Sequence, residues 1–476
     1  MADAREPSYL TEDVSGGNEM QGEPYLEQKQ YVHPDVVEED VGGMSNGHHG
    51  GAPPFYSGIP VVNSVVRTVQ RIVPPGGLVA NCFQLGSVTL GGGIISMPDS
   101  FRTSGIIMAV IYLVVMCAVT VYSMLLLGYA MRLTGLDSYE TMGRGLLGPG
   151  GDFFVGLVLC ISCIGTAIGY ITAAGTLMTP ILELAPGTPD YLKSEMGIRL
   201  IQTLIWAVLL LPAIIPKKLN SIRYIAVLGV CFVLYFVVTI IVHSTMNGLH
   251  KGKRENMAYF TTGNTAIYAL SIFIFAFMCQ GIAYPVYYEM RPRPSVKQLT
   301  TASTIGMVAC TILYILAGVF GYFDFADATE VSILENYDPI HTPYMMVSYV
   351  GMLIKIVAAF CANWVPIRNF FYYAFGWNLA TTPYWLHTIF CVVVSGIILV
   401  AGLFIPKVSL AFGLVGSLTG GFVSFIFPAI FWMYCGNWSM KTVGFLHWLG
   451  CQFMLIAGVV AIVWGTIATV YYSFFV

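Results

Sequence analysis

The stretch Phe83-Gln84-Leu85-Gly86-Ser87-Val88-Thr89-Leu90-Gly91-Gly92-Gly93-Ile94-Ile95-Ser96-Met97-Pro98 places three consecutive glycines, and then a proline, inside an apolar block. In a helix interior each glycine costs about 1 kcal/mol relative to alanine, and proline about 3 kcal/mol. The block is therefore expected to break in its middle. A second block, Phe277-Met278-Cys279-Gln280-Gly281-Ile282-Ala283-Tyr284-Pro285, repeats the order of glycine and then proline. At membrane depth, unwound backbone is tolerated only where protein or a water-filled cavity satisfies its N–H and C=O groups.

That these blocks lie in a membrane follows from composition. Of 476 residues, 56% are hydrophobic and 10% charged, whereas soluble domains carry about a quarter charged residues. The apolar residues come in blocks of roughly 20, the length that crosses a hydrocarbon core of about 30 Å. They are apolar all round, which excludes the alternating strands of a barrel. Eleven spans are expected, at 77–101, 104–130, 152–182, 199–215, 222–243, 264–288, 299–322, 344–366, 384–405, 408–434 and 445–474. Pro216 and Pro406 close two of them, and Ser138 to Leu147 reads as a short amphipathic interfacial segment. The fold class is an all-α polytopic membrane protein with eleven transmembrane helices, five plus five in an inverted repeat and one appended. The two broken blocks head the two halves.

The net charge of −3 hides an asymmetry, because eleven of the 25 acidic residues fall in the first 40 positions, against Arg5 and Lys29. Such a segment cannot bury enough apolar surface to fold. Residues 1–73 are expected to form a disordered acidic cytoplasmic tail, and 74–476 the membrane domain. No basic n-region precedes an apolar stretch, so no cleaved signal peptide is expected. With the N-terminus inside, Arg67, Arg71, Arg132, Arg144, Lys217, Lys218, Arg223, Arg291, Arg293, Lys297, Arg368 and Lys441 fall on the cytoplasmic side. Arg102, Lys193, Arg199, Lys251, Lys253, Arg254 and Lys407 fall outside, a bias that favours this orientation. The sequon Asn437-Trp438-Ser439 then faces the cytoplasm and stays unmodified. Glu289 is expected to pair with Arg291 or Arg293, and His387 and His447 to sit at the interface. Cys160 and Cys163 form a CxxC without nearby His or carboxylate partners, so packing is preferred to metal or redox chemistry.

Two breaks at equivalent positions mark the substrate site of inverted-repeat transporters. A freed helix N-terminus can hold a carboxylate, and freed carbonyls an ammonium group or a cation. A zwitterionic L-amino acid suits that pair of ends. The candidate binding residues are Thr89, Gly91, Gly92, Gly93 and Ile94 in the first break, and Phe277, Cys279, Gln280 and Ala283 at the second. The alternative is an ordinary pair of Gly/Pro kinks, which two matching breaks make the weaker reading.

At these residues the chain resembles the amino acid/auxin permease family, within the superfamily that shares the leucine-transporter fold. The family opens with a pattern like F-N-L-x-N-x-x-x-G-x-G-I-L-x-L-P, which Phe83 to Pro98 follows with substitutions. Further matches are Ser138-Tyr139-Glu140, Phe275 to Cys279 leading to Pro285-Val286-Tyr287, Leu313-Tyr314 before Gly321-Tyr322, and Val365-Pro366-Ile367-Arg368 closing segment eight. Phe412 to Ser417 and Phe427-Pro428 complete the series, and the look is most similar to protozoan amino acid permeases. The resemblance implies eleven helices, amino acid substrates and coupling to protons or sodium. Segment three lines the pocket in this fold, which adds Tyr170; the neighbouring Gly165 and Gly169 read as helix packing.

In sodium-coupled members, side chains of helices one and eight complete the ion site. Ser87 takes the helix-one position, but helix eight offers Val357-Ala358-Ala359, without a hydroxyl. One turn earlier stands Lys355, a charge inside the membrane. A mid-span lysine costs on the order of 3 kcal/mol on insertion scales, so it usually faces a cavity and carries function. Lys355 is read as a tethered cation in place of sodium or as a proton carrier, with snorkelling to the interface as the alternative. Ser87 and Lys355 are thus the coupling candidates, protons possible and sodium doubtful. Asp99 either draws a cationic substrate or sits at the external mouth beside Arg102.

No nucleophile with a base, metal cluster, cofactor motif or nucleic-acid signal accompanies these features, so no enzyme is expected. No continuous polar lining suggests a channel. The reading is a secondary active amino acid carrier working by alternating access, most simply in the plasma membrane. The rival is an amino acid sensor that signals through the acidic tail.

Overall fold

The computed structural model describes residues 76–217, 222–248, 257–405, 407–436 and 438–475. The acidic segment 1–73, Lys218, the Lys251–Arg254 cluster, Pro406 and Asn437 of the sequon lie outside the described residues. The described residues are mostly helical with no strand among them, and all eleven expected spans are present. The first, α1, is a bent pair, Leu78–Thr89 and Gly92–Ser104, with 52° between its halves. Ten further spans follow: α2 Ile106–Thr134, α3 Gly151–Leu184, α4 Glu195–Ile214, α5 Val227–Asn247 and α6 Asn264–Tyr288. The remainder are α7 Val296–Ala328, α8 Pro343–Phe375, α9 Tyr384–Phe404, α10 Val408–Tyr434 and α11 Phe445–Phe475. Helices close their own hydrogen bonds, which is why an apolar solvent admits them.

Burial sorts the spans. α6 and α10 are the most enclosed, and α4 and α11 the least. The breaks themselves are enclosed: residues 89–96 of α1 are buried, and α6 is among the most buried spans. The short helix Tyr139–Leu147 begins at a capping box, with the Ser138 side chain accepting from the Thr141 N–H and Thr141 returning the bond. Its Arg144 reaches Asp152 at the start of α3, 2.9 Å away, and the Tyr373 hydroxyl of α8 donates to the same carboxylate at 2.5 Å.

Two expectations are corrected. α8 does not stop at Pro366 but carries it inside the helix and ends nine residues later at Phe375, where Gly376 takes the left-handed conformation. Losing one N–H does not end a span that its neighbours enclose; the glycine cap does. His387 lies in the first turn of α9, buried among protein, with Nδ1 2.7 Å from the Tyr372 hydroxyl and Nε2 2.9 Å from the Ile215 carbonyl. Glu289 makes no ion pair within 4.0 Å among the described residues; its backbone N–H instead caps α6 on the Pro285 carbonyl.

Candidate functional site

The first half of α1 ends at Thr89, and a 3-10 turn, Gly92–Ser96, starts the second. A Cβ at Gly92 would fall 2.6 Å from the Phe412 ring of α10 and 2.9 Å from the Tyr170 ring of α3. At Gly93 it would fall 3.1 Å from the Ala276 Cβ. The glycines are thus required by close approach as well as by the turn. In α6 the helix ends at Ala276, and a 3-10 turn, Gln280–Ile282, leads to the helical segment Ala283–Tyr288. The two breaks meet at Gly93 and Ala276.

A helix that stops leaves its last four carbonyls without intrahelical partners, and each of these can be traced. At the α1 break, Gly86 O accepts the Leu90 N–H at 2.8 Å. Ser87 O accepts from Lys355 Nζ of α8 at 2.8 Å. Thr89 O accepts the Gly91 N–H at 2.7 Å and the Tyr314 hydroxyl of α7 at 2.5 Å. Val88 O is left without a protein donor among the described residues, and Val88 lies on a cavity wall. At the α6 break, Phe273 O, Ile274 O and Phe275 O accept local N–H groups of Phe277 and Met278, and Ala276 O accepts from Tyr314 at 3.0 Å.

The cavity between the breaks measures about 60 Å³. That is room for about two waters, comparable to the ammonium and carboxylate end of an amino acid with little side chain. Thr89, Gly91, Gly93 and Tyr170, all singled out from sequence, line it together with Val88, Thr166, Phe275, Met278 and Asn363. Gly92 sits just behind, under Phe412 and Tyr170. Ile94, Phe277, Cys279, Gln280 and Ala283 are buried in packing and do not reach the wall. Gln280 accepts from Ser424 at 3.0 Å while its Nε2 has no partner, and Cys279 Sγ lies 4.0 Å from Met307 sulfur. Thr166 stands one turn before Tyr170 on α3, so helical spacing from Tyr170 was a signal for it. Asn363 lies two turns beyond Lys355 on α8, a lone polar residue in an apolar run.

Lys355 is 4% exposed and lies deep within α8, not at its end. Its stem passes α5 at Gly229, where a Cβ would lie 2.8 Å from Lys355 Cδ. No carboxylate stands within 4.0 Å of it among the described residues. Its partner is the C-terminal end of a half-helix, which carries partial negative charge. Ser87 contributes its carbonyl, not its hydroxyl. Asp99, in the second half of α1, is fully buried and pairs with Arg102 at 2.7 Å, away from the cavity wall.

The arrangement offers the start of a new helix, the Val88 carbonyl and a small cavity. It presents no nucleophile. The sequence profile of the family described as transmembrane amino acid transporter protein matches residues 77–471. The chain is also similar to sodium-coupled neutral amino acid symporter 2 of Danio rerio, 23% identical over 403 residues, 79% of this chain and 78% of that protein. It is a transporter rather than an enzyme. The spans, the two breaks and a profile match over most of the chain lead to one conclusion: this protein belongs to the transmembrane amino acid transporter family.

Proposed function

We propose that the protein is a secondary carrier of neutral L-amino acids that works by alternating access and needs no sodium. The observation that carries the reading is the Lys355 ammonium on the Ser87 carbonyl, 2.8 Å apart at the end of the first half of α1. A cation is already supplied there by the chain itself. The zebrafish relative is named for sodium coupling, so Lys355 is where this chain is expected to depart from it.

Substrate placement follows from the ends that face the cavity. The carboxylate lies toward the first N–H groups of the second half of α1, and the ammonium toward the Val88 carbonyl and the break in α6. No ionisable side chain other than the Tyr170 phenol lines the wall, which fits a neutral side chain, as does the relative's name. Thr89, Gly91, Gly93 and Tyr170 are the proposed contacts. Lys355 also suits proton coupling. An amine that gives up its proton loses the charge assistance of its bond to Ser87, which loosens the half-helix end. The face carrying the start of α1 bears Arg132, Arg144, Lys217, Arg291, Arg293, Lys297, Arg368 and Lys441, against Arg102, Lys193, Arg199 and Lys407 opposite. That bias supports an N-terminus in the cytoplasm, and a plasma-membrane location is checked by surface labelling.

The test is uptake of a panel of labelled L-amino acids by the purified protein in liposomes, with and without an inward proton gradient. Saturable uptake of neutral amino acids is expected. Absence of uptake of every amino acid, from a folded preparation, overturns the carrier and favours a sensor.

A further inference from the structure

The hydroxyl of Tyr314 stands where the two breaks converge. It lies 2.5 Å from Thr89 O at the end of the first half of α1, and 3.0 Å from Ala276 O at the end of the first half of α6. Tyr314 is fully buried, and its ring packs edge-on against Phe277 at 5.6 Å. It does not line the cavity, whereas Thr89 does. A phenol has one proton to donate, yet two carbonyls meet it, each at a helix end that carries partial negative charge. One hydroxyl between two such ends fixes their separation, because moving either end away breaks its bond to the shared proton.

We propose that Tyr314 is a positioning residue that ties the α1 break to the α6 break, so that the cavity wall at Thr89 and the end of α6 at Ala276 are set by one hydrogen-bonding group. This rests on the carrier reading and deepens it. Lys355 holds α1 to α8 two residues earlier, at Ser87; Tyr314 holds α1 to α6. Only the second bond spans the two halves of the proposed site, so only the second sets its width. Losing the hydroxyl leaves two buried carbonyls at the breaks without their shared donor and lets the wall at Thr89 relax away from α6. Substrate affinity then falls, while the machinery that moves the cavity from side to side is untouched.

The experiment compares amino acid uptake by wild-type protein, Tyr314→Phe and a variant with 4-aminophenylalanine at position 314, all in liposomes. Phenylalanine keeps the ring packing and removes the donor. The amino group keeps the ring and offers an N–H to each carbonyl. Tyr314→Phe is expected to raise KM by about tenfold, with the maximal rate per inserted molecule held within about threefold. The 4-aminophenylalanine variant is expected to keep KM at or below the wild-type value. An unchanged KM in Tyr314→Phe overturns the proposal, as does a loss confined to the amount of folded protein. Should Tyr314→Phe fail to fold, the amino variant decides: a wild-type KM supports the tie, and a KM raised about tenfold overturns it. Wild-type protein that transports no amino acid would instead overturn the carrier reading, which keeps the two failures apart.

Discussion

The breaks in α1 and α6 look alike in sequence but are satisfied differently. In α6 three of the four freed carbonyls are taken by local N–H groups of Phe277 and Met278, and the two pieces still form one 25-residue span. In α1 the chain bends by 52°, and Ser87 and Thr89 depend on side chains from α8 and α7. The sixth helix largely mends itself, whereas the first is held open by its neighbours. A break held from outside can respond to what its holders do, and that is where coupling is expected to act.

Substitutions can break or sharpen this contrast, and the holder of α1 comes first. Lys355→Ala strips the Ser87 carbonyl of a charged donor, a loss of about 1.5–3 kcal/mol. Uptake is expected to fall by about a hundredfold, read as initial rate per inserted molecule. Lys355→Arg is not expected to restore it, because the planar guanidinium does not fit the slot at Gly229. A mild effect of Lys355→Ala would place the coupling elsewhere.

Gly92→Ala comes next, since its Cβ would enter the Phe412 ring at 2.6 Å. Overpacking of that kind costs about 1–3 kcal/mol, and a uptake loss of about tenfold or more is expected at wild-type expression. Tyr170→Phe removes a hydroxyl that lies 3.1 Å from where a Gly91 Cβ would be. A rise in KM of about threefold is expected, measured across substrate concentrations. Gly281→Ala is the matching change in the other break, with nothing within 4 Å of the added methyl. Its effect is expected to stay below about twofold; a loss as large as that of Gly92→Ala would erase the difference between the breaks.

Much of the fold was legible because a bilayer leaves few choices. Apolar blocks of about 20 residues, bounded by charge and proline, placed all eleven spans to within about six residues, except at the end of α8. The expected span ends at 366, whereas the helix carries Pro366 inside it and runs on to Phe375, capped by Gly376. The α1 break was legible through its glycines, which have no other reason to stand together in an apolar block. The α6 residues were harder to place, since Phe277, Cys279 and Gln280 sit near the break but turn into packing. Tyr314 and Phe412 were quoted only as motif letters. A buried aromatic on a long apolar helix looks the same in sequence whether it fills space or donates to two carbonyls. Lys355 stood out because a charge at that depth needs a partner; that its partner is a carbonyl rather than a carboxylate emerged only from the packing of α1 on α8.

The measurement that bears most directly on the central claim is the initial rate of neutral amino acid uptake in liposomes when sodium is replaced by choline on both sides. With Lys355 supplying the cation at Ser87, the rate is expected to be the same in both media. A rate that collapses without sodium, and recovers as it is added back, would contradict the assignment of Lys355.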